Sequence, residues 1–137
     1  MSLPKPQSNN KLEASPSTST EIKNSALISF VTAAAFLKVA FILGAIAVAA
    51  GAFGAHALKE MVDERAIEIY QTGVQYHFYH LFAIALVAIL LKQGTNAWYK
   101  RAGYLFIAGI LIFSGSLYTM ILLKVTGATS VNWLGAI

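Results

Sequence analysis

The chain has 137 residues, of which 57% are hydrophobic and only 12% are charged. A soluble domain carries about 25% charged residues, and a chain this short cannot bury so much apolar surface in water. The composition therefore predicts an integral membrane protein whose main partner is the lipid bilayer. The sequence has no cysteine, which excludes disulfides and thiolate metal sites. Its net charge of +4 comes from basic residues at the ends of apolar runs, so we expect no nucleic-acid partner.

The first part of the chain divides into a polar tail and an apolar stretch. Residues 1–25 are rich in Ser, Thr, Pro and Asn, which predicts a disordered polar tail. Residues 26–137 form the predicted membrane domain. Its first apolar run is interrupted only by Lys38. A charge in the middle of a bilayer is costly, so we place Lys38 at the interface and predict the first span at residues 39–58.

An acidic segment separates the first two predicted spans. Glu60, Glu64 and Glu68 recur every four residues, with apolar residues on the opposite helix face. This pattern is typical of an amphipathic helix, and we expect one at the water boundary over residues 60–71. The second span is predicted at residues 74–91, because its last half is wholly apolar.

The third span is the clearest, since residues 102–123 carry no charge and end at Lys124. Polar residues around Gly94 predict the turn before it. A new apolar run starts at Trp133, which indicates the start of a possible further span. The predicted fold class is all-α: a polytopic transmembrane helix bundle with three spans present and a fourth beyond residue 137.

The distribution of basic residues predicts the orientation. With three spans, the N-terminal side carries Lys5, Lys11, Lys23, Lys38, Lys92, Lys100 and Arg101, and the opposite side carries Lys59, Arg65 and Lys124. An excess of Lys and Arg marks the cytoplasmic side. We therefore expect a multi-pass protein of the cell (inner) membrane with a cytoplasmic N-terminus.

Small residues mark two places where helices can approach closely. Ala47, Gly51 and Ala55 form a small-xxx-small stripe in the first span, and Gly54 lies on a nearby face. The stripe indicates packing against another helix. That helix belongs to the same chain, to a second copy in a homo-oligomer, or to a different membrane partner. In the third span stand Ser114, Gly115 and Ser116. They pack between helices or form a polar notch that lines a path.

Three histidines are the residues with the most chemical potential. His56 ends the first span, and His77 and His80 lie three apart near the start of the second. The predicted topology puts all three near the outer boundary, where they could meet. Such a group could bind zinc or copper, relay protons, or form hydrogen bonds between helices. We favour the structural role, and we expect no metal and no cofactor.

Catalytic signatures do not emerge from the sequence. No nucleophile–base set, Walker loop, dinucleotide fingerprint or zinc-protease motif occurs in it. We therefore expect a non-enzymatic scaffold or accessory subunit that acts through helix packing. The alternative is a small transporter or channel for a proton, ion or metal, with His56, His80 and the Ser114–Ser116 notch along its path. A histidine-based membrane enzyme is a third, weaker interpretation.

Three motifs in order carry a family resemblance: GAFGAH at residues 51–56, TGVQY at residues 72–76 and FSGSLY at residues 113–118. The chain from residue 38 onwards resembles the YgdD-like small inner-membrane family (domain of unknown function 423), which includes the transmembrane-256 proteins. The resemblance implies a four-helix membrane bundle without an established activity. It gives weight to Tyr76, His56 and His80, which match the motifs, and less to His77. The chain departs from the family in its longer tail and in stopping before a usual Thr-Pro-x-Gly-Gly motif and last helix.

Overall fold

Three long helices make up the computed structural model, which describes residues 16–94 and 96–127. They are α1 (Pro16–Ala55), α2 (Glu64–Gln93) and α3 (Ala97–Val125), with a π-helical turn at Ile110–Ser114 inside α3. Each helix contains a window long and apolar enough to cross a membrane. Strands are absent from the described residues. The predicted all-α bundle with three spans is confirmed.

The start of α1 differs from the sequence-based prediction. The helix begins at Pro16, so residues 16–25 are helical rather than part of a disordered tail. Proline suits the first position of a helix, where its missing N–H is not needed. Extending an existing helix is also far easier than nucleating one, so the long apolar run draws these polar residues into its N-terminus. Residues 1–15 and the apolar run from Trp133 lie outside the described residues.

The acidic segment does not form a separate helix at the membrane surface. A short 3₁₀ turn at Leu58–Glu60 is followed by a bend, and α2 starts at Glu64 and runs without a break. Asp63 caps its N-terminus, since its carboxylate accepts a hydrogen bond from the N–H of Ala66 at 2.9 Å. The expectation of an amphipathic surface helix over residues 60–71 was wrong, because its apolar face is the beginning of the face that α2 buries.

Helix α2 lies between the other two helices and runs antiparallel to both. Towards α1, Gly44 faces Leu81 and Gly51 faces Val74. Two clusters of buried residues fill the bundle. The cluster near the loop at Gly94 contains Ala33, Phe36, Ala40, Ile84, Val87, Ala88, Leu91 and Ile110. The cluster near the loop at Asp63 contains Leu58, Ala66, Tyr70 and Ile121. We call these two ends of the bundle the Gly94 end and the Asp63 end.

A close contact between α1 and α3 holds the Gly94 end together. The ring of Phe36 packs against that of Tyr104, with 5.3 Å between ring centroids. Gly103 makes room for Phe36, because a Cβ atom built on this glycine would lie 2.5 Å from Cε1 of that ring. Phe36 is itself buried and cannot move away easily.

We predict that Gly103→Ala lowers the free energy of unfolding by about 1–3 kcal/mol, the usual cost of overpacking a filled core. The matched control is Gly115→Ala, since a Cβ atom there would meet nothing closer than a backbone oxygen at 3.8 Å. The control should be neutral or slightly stabilising, because alanine favours helix more than glycine does. Thermal unfolding in detergent micelles measures both. Equal stability of the two variants would contradict a tight contact between Gly103 and Phe36.

An ion pair closes the Asp63 end. The ammonium group of Lys124, near the end of α3, bonds to the carboxylate of Asp63 in the loop before α2. Both side chains are exposed to solvent. The bond from Lys124, followed by the N–H of Ala66, holds the pKa of Asp63 below its ordinary value of 3.8. The loop and α3 are thereby joined through one carboxylate.

Because the folded pKa of Asp63 is lowered, its contribution to stability is complete above the unfolded pKa of about 3.9. That contribution is lost as the pH falls through the lower, folded pKa. We predict that acidification from about pH 5 to about pH 3 reduces the melting temperature of the parent chain more than that of Asp63→Asn. The asparagine keeps a helix cap but cannot form the ion pair. Parallel melting curves of both chains would contradict this role.

Candidate functional site

The small-residue stripe of α1 is used mainly inside the chain. Ala47 is fully buried, and a Cβ atom on Gly51 would be 3.6 Å from Cγ1 of Val74 in α2. Ala55 is exposed. The closest approach is at Gly54, where a Cβ atom would lie 2.8 Å from the ring of Tyr70. The stripe therefore packs α1 against α2 over its first two members.

Tyr70 explains why a glycine stands at position 54. The Cδ1–Cε1 edge of its ring lies against Gly54, and its hydroxyl donates a hydrogen bond to the carbonyl of Ala50, at 3.1 Å. The same ring packs against Tyr118 of α3, with 5.1 Å between centroids. Tyr70 thus joins all three helices near the Asp63 end.

The three histidines do not come together. His56 is exposed just after the end of α1, and its backbone N–H donates a hydrogen bond to the carbonyl of Ala52. His80 bonds through Nδ1 to the carbonyl of Tyr76 one turn back, at 2.8 Å. Within residues 16–94 and 96–127, no group of three His, Asp or Glu side chains could hold a metal ion.

His77 is buried where α2 packs against α3. It stands about 20 Å along α2 from Glu64, at 1.5 Å per residue. Its side chain is 2% exposed, and Nδ1 lies 3.4 Å from the hydroxyl of Tyr118. His77 thus lies inside the bundle, and its depth in the membrane stays a prediction.

The predicted notch in α3 resolves into residues that point different ways. Ser114 is 1% exposed and faces the bundle. Ser116 is exposed, and its hydroxyl donates to the carbonyl of Phe113 at 2.8 Å. Gly115 faces open space apart from the helix's own backbone. Ser114 alone of this group therefore contributes a polar atom to the interior.

Two buried polar atoms of the bundle have no partner within the described part of the chain, and one of them belongs to Ser114. Nε2 of His77 and Oγ of Ser114 are both inaccessible, and neither has a hydrogen-bond partner among the described residues. Buried polar side chains usually have one. Sequence reasoning gave His77 little weight. The available signal was its position on the buried face of α2, four residues after Gly73 and four before Leu81.

A second polar group lies on the opposite, outward face of α2. The amide of Gln75 donates to the hydroxyl of Tyr79 at 2.7 Å, and Gln75 is exposed. Tyr79 is 55% exposed and Tyr76 42% exposed. The ring of Tyr76 packs between Tyr79 and Phe113 of α3, at 5.7 and 4.8 Å between centroids. Helix α2 thus carries polar side chains inside and outside the bundle at one depth.

A family profile and several known membrane proteins match the sequence of this chain. The profile described as "Protein of unknown function (DUF423)" matches residues 50–137. UPF0382 membrane protein YwdK of Bacillus subtilis is 42% identical over 106 residues, which cover 74% of this chain and 81% of that protein. UPF0382 membrane protein SAB0533 of Staphylococcus aureus is 32% identical, covering 74% and 85%. UPF0382 inner membrane protein YgdD of Escherichia coli is 36% identical, covering 61% and 63%. No solved structure matches.

Proposed function

Because this chain belongs to the DUF423 family of membrane proteins of unknown function, we propose that it acts by helix association, as a non-enzymatic scaffold or accessory subunit. The observation that carries the proposal is the exposed polar pair of Gln75 and Tyr79 on α2. An exposed pair of this kind is unusual on a helix that crosses a membrane, and another helix would cover it.

The depth of this pair is what makes its exposure costly. Gln75 lies about 16 Å along α2 from Glu64 at 1.5 Å per residue, near the middle of a hydrocarbon core of about 30 Å. Lipid tails cannot accept or donate hydrogen bonds, so polar groups at this depth are stabilised when a facing helix satisfies them. The outward face of α2 therefore fits a helix partner better than it fits lipid.

The spacing along this face fits a packed helix pair. Exposed residues recur at alternating steps of four and three, in the order Gln75, Tyr79, Phe82, Leu86 and Ile89. A seam of this period faces one partner helix continuously when two helices supercoil with a left-handed twist. We call these five residues the α2 seam.

A second copy of the chain fits the α2 seam. Gln75 and Tyr79 use one donor and one acceptor between them, which leaves two free donors and at least one free acceptor in either orientation of the amide. A two-fold axis along the membrane normal brings the same residues of two copies together. Each copy then donates one hydrogen bond and accepts one. The proposed assembly is a parallel pair of α2 helices.

Cysteine cross-linking tests this pairing directly, because the chain has no cysteine of its own. We predict that Tyr79→Cys forms disulfide-linked dimers when the full chain is oxidised in liposomes at low protein density. The matched control is Ile46→Cys, which is exposed on α1 at the same depth, as the facing pairs Gly44–Leu81 and Gly51–Val74 show. It should stay monomeric. Equal cross-linking of both variants, or none, would contradict a two-fold α2 seam.

The double variant Gln75→Leu, Tyr79→Phe gives an independent reading of the same pairing. It removes the two hydrogen bonds across the axis and keeps the apolar seam. With about 0.6 kcal/mol for each interhelical bond in a membrane, dimer affinity measured by energy transfer should fall about eightfold. A monomeric parent chain would instead indicate that a different membrane helix, or the residues beyond Gly127, covers this face.

The proposed orientation has the Gly94 end in the cytoplasm. Lys38, Lys92, Lys100 and Arg101 belong to this end, and basic residues favour the cytoplasmic side. A membrane-impermeant maleimide should therefore leave Gly94→Cys unlabelled in intact cells and label it after permeabilisation. Labelling of intact cells would reverse the orientation.

The geometry gives less support to a transport path through the residues that the sequence suggested. His56 is exposed at the Asp63 end, His80 bonds to its own helix, and Ser116 faces outward. These side chains do not line a common path with Ser114. The interior polar atoms belong instead to His77 and Ser114.

A further inference from the structure

The interface between α2 and α3 contains polar side chains that the association of helices does not use. His77 is 2% exposed and Ser114 is 1% exposed. One ring nitrogen of His77 faces the hydroxyl of Tyr118 at 3.4 Å, and the other, Nε2, has no partner among the described residues. The Ser114 hydroxyl likewise has no hydrogen-bond partner among the described residues. Two buried hydrogen-bonding atoms of this region thus have no partner among the described residues.

The antiparallel register places these two residues at a similar level. Near the Asp63 end, a Cβ atom built on Gly73 of α2 would contact Leu117 and Tyr118 of α3. Leu81, four residues after His77, is buried on the same face of α2. Towards the Gly94 end, a Cβ atom on Gly109 would meet the ring of His80. His77 lies between these contacts on α2, and Ser114 lies between them on α3. The two residues therefore lie at a similar level of the interface between α2 and α3.

The backbone beside Ser114 is unusual in the same place. Residues Ile110–Ser114 form a π-helical turn, and the N–H of Gly115 donates to the carbonyl of Ile110 five residues back. Single π turns inside α-helices are rare and occur frequently at functional sites. On the opposite side, α1 presents the fully buried Ala47 at the depth of His77, as its neighbours Gly44 and Gly51 indicate. A small side chain limits crowding at this level of the bundle.

We propose that His77 and Ser114 form an internal binding site for a water molecule in the middle of the membrane bundle. The hydroxyl of Tyr118 donates to Nδ1 of His77, which leaves the proton on Nε2. Nε2–H then donates to the water oxygen, and the water donates to Oγ of Ser114. Every polar atom of the pair gains a partner, as buried water usually provides. Histidine stays neutral in this arrangement.

Water-edited solid-state NMR of the labelled full chain in liposomes tests the site. Polarisation that starts on water should reach the ring of His77 several-fold faster than the side chain of Ile84. Ile84 is the reference because it is fully buried on the same helix, within the apolar cluster at the Gly94 end. The ring nitrogens should also show the Nε2–H tautomer. Equal transfer to His77 and Ile84 would overturn the proposal.

A matched pair of serine variants separates a built site from water that merely enters the bundle. Ser114→Ala removes one of the two partners and should slow the transfer at His77 to the rate of Ile84. Ser116→Ala, whose exposed hydroxyl bonds to its own helix, should leave the transfer unchanged. Transfer that persists in Ser114→Ala would also overturn the proposal. Because neither variant touches the α2 seam, both should cross-link through Tyr79→Cys like the parent chain if that pairing exists.

Discussion

The scarcity of hydrogen-bond partners in hydrocarbon is the constraint on which the described bundle depends. Three helices satisfy their own backbones, so the remaining question is where each polar side chain finds a partner. Most of them bond to a carbonyl of their own helix, as Thr72, Ser116 and Thr119 do. Tyr70 reaches a neighbouring helix instead. The few side chains outside these two solutions define the sites of interest, and they cluster on α2 and the facing part of α3.

The membrane class and the three spans were predictable from composition and from runs of apolar residues. Two errors concern the ends of helices and have physical causes. Polar residues 16–25 join α1 because an apolar helix already exists beside them. The acidic stripe at Glu64 and Glu68 resembles a surface helix. A helix that lies on a membrane and the end of a helix that enters it show the same 3.6-residue period, so the sequence does not distinguish them. Only the cap at Asp63 marks where α2 begins.

The interior site was predictable only in part, because adjacent positions on a helix face in different directions. The sequence indicated Ser114, Gly115 and Ser116 together, yet one of them faces inward. It also could not distinguish His77 from His80, which share a helix and differ by less than one turn. Contact with Tyr118 separates them, and that contact depends on how α2 and α3 meet. Family resemblance did not help here, since it gave weight to His80.

The two polar arrangements on α2 follow from one another. Gln75 and His77 are two residues apart, so a helix necessarily points them to nearly opposite sides. The bundle encloses His77, whose ring faces Tyr118 of α3. Gln75 is left outside, where it bonds to Tyr79 and where the proposed partner helix would cover it. A single segment of α2 therefore carries both proposals, an internal site for a water molecule at His77 and an external contact with a partner helix at Gln75.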